Sequence, residues 1–247
     1  MLDKETFQWK VMAWAGIIAI GFVIGYNNYP NQGPQKVAQT FQAAFPDNRS
    51  ARHTANYGQI LDASCYVYRR PAENEERGGS GSGCVIGVDE ANVYILTAGH
   101  VVKSKDRIGW IYFTHGGQWV GRMDFKVEKI QHDQYIDLAI LVVTKKEFTR
   151  AKVKIPTPLR IATIDIGTNK TIITSGYPLG TWQNLFLGRT LRNRTPYRMS
   201  FYPIIAKGRS GSPVINSRTE IVGVVIQYSK TNSWAMNLKQ IRKFVND

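Results

Sequence analysis

The chain has 247 residues, of which 43% are hydrophobic and 11% aromatic, enough to bury the core of one β-rich domain of about 200 residues. Its 32 Lys and Arg residues against 18 Asp and Glu residues give a net charge of +14, which favours anionic partners and equally fits a basic soluble surface. Two cysteines and four scattered histidines, without a C-x-x-C pair, exclude a disulfide framework and a metal site of ordinary spacing.

The first predicted element is a membrane segment. Residues 11–26, VMAWAGIIAIGFVIGY, carry no charge, and as a helix they would span roughly 24 Å of a ~30 Å hydrocarbon core. Tryptophans near one end and tyrosines near the other suit the two interfaces, so we expect a transmembrane anchor over residues 11–29. A cleaved signal peptide is the alternative, although no small-x-small cleavage site follows. Lys4 and Lys10 favour a cytoplasmic tail, residues 1–10, with the rest of the chain on the extracytoplasmic side.

A stalk and a β-rich domain follow. Residues 30–60 are turn-rich and polar and show no sustained hydrophobic periodicity, which predicts a linker. From residue 61 the pattern changes to short runs of β-branched and aromatic residues separated by turns. The predicted strands are SCYVYRR, SGCVIGV, NVYILTA, RIGWIYF, DFKVEKI, DLAILVV, KTIITSGY, PVINS and EIVGVVIQY. Only NLKQIRKFVND at the end has helical spacing, so residues 61–247 are predicted to be all-β, as antiparallel barrels or a sandwich, with one C-terminal helix.

Three segments of this domain carry the residue types of a nucleophilic active site. His100 directly follows an apolar strand in YILTAGHVV, Asp137 opens an apolar strand in QYIDLAILVV, and Ser210 lies between glycines in AKGRSGSPVIN. A serine hydroxyl is a weak nucleophile at neutral pH and needs an adjacent base, and the imidazole that serves as base needs an acceptor to fix its tautomer. Each residue alone is more often a turn or surface residue. Together, in the order His, Asp, Ser on an all-β background, they indicate a catalytic triad.

The motifs TAGHVV, DLAIL, GYPLG and GRSGSP resemble those of trypsin-like serine proteases of the chymotrypsin fold, above all the bacterial high-temperature-requirement and glutamyl-endopeptidase branches. The resemblance covers residues 61–247. It implies two packed antiparallel six-stranded barrels, followed by the C-terminal helix, with the site in the cleft between them. It also implies that His100 is general base and acid, that Asp137 accepts from its ring, that Ser210 is the nucleophile, and that no cofactor is needed.

The resemblance extends to the oxyanion hole, which the main-chain N–H groups of Gly208 and Ser210 would form. A glycine suits this place because the loop must turn its N–H toward the developing charge. Arg209 departs from the family, since its digestive members carry an aspartate there that pairs with a newly cleaved N-terminus. Arginine cannot accept that ammonium group, so we do not expect activation by such a cleavage.

Other residues compete for the triad roles. They are His53 in the stalk, His115, His132 and Asp133 in predicted loops, and Asp165 and Ser175, which lack the surrounding glycine pattern. None of these histidines follows a strand in the manner of TAGH.

The P1 pocket is assigned by analogy with the family. The candidate substrate-binding residues precede the nucleophile or lie on a strand after it: Ile204, Ile205, Lys207, Val225 and Gln227. The aliphatic members supply no charge, so we expect a small or aliphatic P1 residue. An acidic P1 residue would require a basic or histidine partner where the aligned strand has Val225.

The sequence therefore predicts a membrane-anchored serine endopeptidase that acts on proteins or peptides. An inactive or latent pseudoprotease that binds an anionic partner through its basic surface is the first alternative, and a polyprotein-type protease with few cleavage sites is another. The segment GRTLRNRTPYRMSFYP is a candidate contact for such an anion, although a solvated basic loop is the plainer interpretation. A nucleic-acid-binding module rests on charge alone and ranks last. For Cys65 and Cys84, one disulfide and two separate buried thiols both stay open.

Overall fold

The structure, a computed structural model, describes residues 55–73, 75–115, 118–192, 195–229 and 231–247. The predicted tail, the anchor over residues 11–29 and the stalk up to residue 54 lie outside the described residues. Within these ranges, no helix has both the length and the apolar character that spanning a bilayer requires.

Six antiparallel strands close into a first barrel in the order β1-β2-β3-β6-β5-β4. Alternation along β5 shows why the sheet closes around a core, since Met123, Phe125 and Val127 are buried and the residues between them are exposed. The strands are β1 (Ser64–Arg69), β2 (Gly79–Val88), β3 (Asn92–Thr97), β4 (Gly109–His115), β5 (Gln118–His132) and β6 (Asp137–Thr144). The helices α1 (Tyr57–Ala63), α2 (Gly99–Val102) and α3 (Lys145–Ala151) flank them.

Six further antiparallel strands form a second ring, β11-β8-β9-β10-β13-β12, which the pairing of β11 with β12 closes. These strands are β8 (Thr171–Gly176), β9 (Asn184–Thr190), β10 (Arg198–Tyr202), β11 (Pro213–Ile215), β12 (Glu220–Tyr228) and β13 (Ser233–Asn237). The short strand β7 (Arg160–Ile161) adds to β12 in parallel. The predicted fold class, all-β with two six-stranded barrels, is confirmed.

The C-terminal helix is confirmed as α4 (Leu238–Asn246). Its first turn is capped by Asn237, whose side-chain oxygen accepts from the Gln240 N–H at 3.1 Å. Leu238, Ile241 and Phe244 are buried, which is the apolar face that the sequence spacing predicts.

The two barrels share a core. One continuous cluster of buried residues fills the first barrel and extends to Ile173, Val224 and Met236 of the second, while a smaller cluster around Met199 and Phe201 fills the second barrel. A junction packed in this way holds loops from the two barrels at a fixed distance from each other.

The structure corrects the sequence analysis at several elements. Four strands and three helices were not expected, namely β7, β9, β10, β13, α1, α2 and α3. Helix α3 escapes a periodicity search because only Phe148 of its residues is buried. The boundary at residue 61 is also corrected, because Ile60 is fully buried and the Asn56 N–H donates to the Thr219 hydroxyl at 2.7 Å. The packed domain therefore includes residues 55–60, which the sequence analysis gave to the stalk.

Candidate active site

His100 and Asp137 are in direct contact at the edge of the first barrel. His100 lies in α2, which follows β3, and Asp137 opens β6, the antiparallel neighbour of β3. The His100 Nδ1 lies 2.6 Å from Asp137 Oδ2, and the His100 main-chain N–H donates to Oδ1 at 2.8 Å. Both carboxylate oxygens are thus engaged by one residue, which fixes the ring and the carboxylate relative to each other.

Gly99 permits this close approach. A Cβ at this position would lie 2.9 Å from the Gln131 carbonyl oxygen and 3.0 Å from Asp137 Oδ1. A larger residue would therefore displace α2 from β5 and β6.

The environment of Asp137 favours its charged form. Burial of this side chain, which is only 14% exposed, opposes ionisation. The hydrogen bonds and charge of His100 outweigh the burial, with a smaller contribution from His132, and hold the pKa of Asp137 below its ordinary value. An ionised carboxylate accepts only, so the neutral His100 ring carries its proton on Nδ1 and leaves Nε2 able to take one up.

Ser210 lies in the loop between β10 and β11, which Ser82 of β2 holds against the first barrel. The Ser82 N–H donates to the Ser210 carbonyl at 2.7 Å, and the Ser82 hydroxyl donates to the Gly208 carbonyl at 3.0 Å. The Thr97 hydroxyl, at the end of β3, donates to the Ser82 carbonyl at 2.7 Å. One residue thus joins the serine loop to the strand that leads to His100. Among the described residues, no hydrogen bond links the Ser210 hydroxyl to the His100 ring, a contact that in many enzymes tightens only with substrate.

Two glycines let the serine loop lie this close to β2. A Cβ on Gly81 would lie 2.6 Å from the Val101 side chain and 2.7 Å from the Ser210 carbonyl oxygen. Gly211 has a φ of 88°, and a Cβ there would lie 1.9 Å from the Ser82 carbonyl oxygen. The sequence analysis did not assign Gly81 or Ser82 to the site. The signal was the run GSGSG inside a strand, because glycine in a strand marks close approach of another backbone.

The peptide unit between Lys207 and Gly208 is held in one orientation. The Leu179 N–H donates to the Lys207 carbonyl at 2.7 Å, and since C=O and N–H of a trans peptide point in opposite directions, the Gly208 N–H points away from Leu179. Gly208 has a φ of 91°, and a Cβ there would lie 2.7 Å from both Leu179 N and the Tyr177 carbonyl oxygen. In the described part of the chain, neither the Gly208 nor the Ser210 N–H has an acceptor. Both are available to bind a negatively charged oxygen.

Arg209 ties the same loop to the second barrel. Its side chain is buried, with Nη1 donating to the Thr174 hydroxyl at 2.6 Å and Nη2 donating to the Asn184 carbonyl at 3.1 Å. The guanidinium also lies 4.9 Å from the centre of the Phe186 ring. Burial lowers the pKa of Arg209 to about 9, so the group is still protonated at neutral pH. The residue before Ser210 is therefore anchored to β8 and β9 without a carboxylate partner among the described residues.

The predicted substrate-binding residues divide into two groups. Ile204, Lys207 and Gln227 are exposed. Ile205 and Val225 are 3% and 1% exposed and belong to the core of the second barrel, so their side chains are not open to a substrate in this structure.

Among the rival triad residues whose side chains the structure describes, only His132 contacts the site. Its Nδ1 lies 2.9 Å from Asp137 Oδ1. Asp133 accepts from the N–H groups of its own turn, and the buried Ser175 hydroxyl accepts from Gln183 Nε2 at 3.3 Å. Asp165 Oδ1 accepts from the Ile166 N–H at 2.9 Å, and His53 and the His115 side chain lie outside the described residues.

Cys65 and Cys84 are two separate buried thiols, the second of the arrangements that the sequence left open. Burial raises the pKa of both. In the described ranges, no group of three or more His, Cys, Asp or Glu side chains is arranged to hold a metal ion.

Residues 81–224, more than half of the chain, match the family model described as the trypsin-like peptidase domain. Comparison with curated proteins gives no match. The matched range contains all three residues of the His100–Asp137–Ser210 constellation and the residues that hold it.

Solved structures with the same fold include the Rv3671c protease from M. tuberculosis in its active form, at 18% identity and a TM-score of 0.58, covering 76% of this chain and 82% of that one. The inactive form of that protease matches at 18% identity and a TM-score of 0.55, with 75% and 89% covered. The serine endoprotease from Yersinia pestis matches at 17% identity and a TM-score of 0.58, with 78% of this chain and 66% of that chain covered. At these identities the matches establish the fold alone.

Proposed function

The chain belongs to the family of trypsin-like peptidase domains, and we propose that it is a serine endopeptidase with the triad His100, Asp137 and Ser210. One observation carries the proposal: the 2.6 Å contact between His100 Nδ1 and Asp137 Oδ2, beside a serine loop with two unpaired main-chain N–H groups. An ionised, mostly buried carboxylate on the ring nitrogen is what a histidine base requires, because it fixes the tautomer and stabilises the imidazolium that forms.

The proposed reaction proceeds through an acyl-enzyme. The Ser210 Oγ forms a bond to the scissile carbonyl carbon while its proton moves to His100 Nε2, and the carbonyl oxygen becomes negatively charged. The N–H groups of Gly208 and Ser210 stabilise that oxygen. The C–N bond then breaks as the leaving amine takes the proton from His100, and a water molecule repeats the sequence to release the acid and restore the Ser210 hydroxyl.

The exposed residues beside the serine loop support a contact with the substrate on the acyl side. Ile204 and Lys207 precede Ser210 on its own loop, and Gln227 lies on β12. We keep the proposal of a small or aliphatic P1 residue, and cleavage of a peptide library varied at P1 tests it. Preference for an acidic P1 residue would contradict it and would point to Lys207 as the partner.

We also propose that residues 11–29 anchor the protease, with the tail 1–10 in the cytoplasm and the peptidase domain on the extracytoplasmic side. The uncharged segment and the position of Lys4 and Lys10 support this arrangement. We expect the full chain to stay in the membrane fraction after alkaline washing. We also expect protease added to whole spheroplasts to digest the peptidase domain. Release by the wash would favour a cleaved signal peptide.

Labelling of the full chain with a fluorophosphonate probe tests the proposed chemistry. We expect labelling of the wild type, none of Ser210→Ala, and strongly reduced labelling of His100→Ala. Ser80→Ala is the matched control, since this exposed serine lies on β2 and should leave labelling unchanged. A folded wild type that takes up no probe would contradict the proposal and favour a pseudoprotease that binds an anionic partner through its basic surface.

A further inference from the structure

A second histidine contacts the aspartate of the proposed triad. His132 is the last residue of β5 and pairs directly with Asp137, the first residue of β6, in the antiparallel register. Its Nδ1 lies 2.9 Å from Asp137 Oδ1, while His100 Nδ1 lies 2.6 Å from Oδ2. The carboxylate is therefore shared by two imidazole rings whose centres are 6.2 Å apart.

The contact of His132 is built into the turn between the two strands. Asp133 Oδ1 accepts from the Tyr135 and Ile136 N–H groups at 2.7 and 2.8 Å, and Gln131 Nε2 donates to Asp133 Oδ2 at 2.8 Å. These bonds close the turn tightly, which keeps His132 opposite Asp137.

Gly99 gives room for both imidazoles. A Cβ on Gly99 would lie 3.1 Å from the His132 Cβ and 3.0 Å from Asp137 Oδ1. The absence of a side chain at this one position thus lets His100, on the following residue, and His132 reach the same carboxylate.

Few other groups orient this carboxylate. Its donors among the described residues are the His100 N–H and His132 Nδ1 on Oδ1, and His100 Nδ1 on Oδ2. From the second barrel, the Met236 sulfur accepts weakly from the Asp137 N–H at 3.4 Å and offers the carboxylate no donor. Within the described part of the chain, His132 is therefore the only side chain besides the proposed base that donates a hydrogen bond to this carboxylate.

We propose that His132 is a positioning residue of this active site, which orients Asp137 toward His100 by donating its Nδ1–H to Oδ1. This proposal rests on the proposed function. His132 itself does not touch the substrate in the proposal, and it acts through Asp137. The His132 donor adds a second hydrogen bond to Oδ1, beside that of the His100 main-chain N–H, so that the carboxylate plane stays aligned with the His100 ring while the proton moves between Ser210 and His100.

Two substitutions separate this role from simple packing. Asparagine places its side-chain N–H at the position of the histidine Nδ1 and carries no ring, so His132→Asn keeps the donor. His132→Ala removes it. We expect kcat to fall about tenfold in the alanine variant with KM nearly unchanged, and to return to within about twofold of the wild type in the asparagine variant.

Unchanged kcat in a folded His132→Ala variant would overturn the proposal. The proposal would also be overturned if His132→Asn had the same low kcat as His132→Ala while both variants kept the unfolding temperature of the wild type. Equal losses in kcat and in thermal stability, not rescued by asparagine, would mean that the ring only packs.

Nitrogen-15 spectra of histidine-labelled full-length Ser210→Ala protein provide a test that needs no activity. The hydrogen bond that one ring nitrogen makes decides which nitrogen carries the proton, so neutral His132 should be protonated on Nδ1, as should His100. In Asp137→Ala, made in the same background, His132 should lose that preference. A His132 ring protonated on Nε2, unaffected by Asp137→Ala, would overturn the proposal even if the protein is an active protease. Conversely, failure of the fluorophosphonate probe would refute the proposed function and leave the tautomer result to decide where His132 donates.

Discussion

The main-chain N–H of Ser82 and the main-chain carbonyl of Ser210 are joined by a 2.7 Å hydrogen bond that crosses from the first barrel to the second. The Ser82 hydroxyl adds two more contacts, donating to the Gly208 carbonyl and accepting from the buried Tyr177 N–H, each at 3.0 Å. The single small side chain of Ser82 therefore positions both the proposed nucleophile loop and Tyr177, which precedes the turn Pro178–Gly180 facing that loop.

Ser82→Ala should lower activity and stability together. The variant leaves the Tyr177 N–H without its acceptor, which costs about 1–3 kcal/mol of the free energy of unfolding, and it frees the Gly208 carbonyl to move. We expect kcat to fall about tenfold, because a displaced Gly208 misplaces one donor of the proposed oxyanion hole. Steady-state kinetics and urea unfolding measure the two effects. The exposed Ser80, on the same strand, supplies the control, and a Ser82→Ala variant as active and stable as Ser80→Ala would show that the main-chain bond suffices.

The residues proposed for catalysis could be selected from the sequence because each stands in a recognisable local pattern. His100 follows an apolar run and Ser210 lies among glycines whose backbone angles only glycine readily adopts. Their supporting contacts were not predictable. Ser82 holds Ser210, and Leu179 holds Lys207, through pairings between segments distant in sequence, and nothing local in either segment specifies its partner.

The missed elements have a similar explanation. Strand β9 is half-exposed along most of its length and so lacks a clear alternation of apolar and polar residues. Ile205 and Val225 were assigned to a pocket by alignment, yet the closed second ring turns both into its core. Local apolar character could not distinguish a pocket wall from a barrel interior.

Arg209→Met should separate activity from stability. Removing a buried charge that lacks a carboxylate partner is favourable, whereas leaving the Thr174 hydroxyl without its donor is unfavourable, and each effect is on the order of 1–3 kcal/mol. We therefore expect the free energy of unfolding to change by less than about 1 kcal/mol while kcat falls about tenfold, since the loop loses its tether to β8 and β9. Urea unfolding and fluorophosphonate labelling rates are the measurements. A stable variant with full activity would show that the tether is not needed to order the loop.

Asp137→Asn should abolish most activity through the tautomer of His100. An amide in place of the carboxylate donates to Nδ1 as readily as it accepts, and the ring then presents a protonated Nε2 to Ser210, which should lower kcat by about 10⁴.

The stability of the same variant gives an independent check. The pKa of Asp137 is lower in the folded state, so this group stabilises the fold above the ordinary value of 3.8, and that contribution is lost as the pH falls through the folded value.

We therefore expect the wild type to unfold at a higher temperature than Asp137→Asn at pH 7, and the difference to shrink below about pH 4. Thermal unfolding followed by circular dichroism over that pH range measures it. A difference in unfolding temperature that does not change with pH would mean that the charge of the Asp137 carboxylate contributes nothing to the free energy of unfolding.

Gly208→Ala tests whether the loop geometry itself creates the proposed oxyanion hole. The residue has a φ of 91°, and an added Cβ would lie 2.7 Å from two main-chain atoms of the facing turn, Leu179 N and the Tyr177 carbonyl oxygen. The loop must then move, the bond from Leu179 to the Lys207 carbonyl must lengthen, and the Gly208 N–H must turn away from the developing charge. We expect kcat to fall by about 10²–10³ with a smaller change in KM, the usual cost of one such donor. Gly167→Ala is the matched control, because a Cβ at that position meets no atom within 4 Å. If Gly208→Ala retains the kcat of Gly167→Ala, another group stabilises the oxyanion, and the assignment of the Gly208 N–H is wrong.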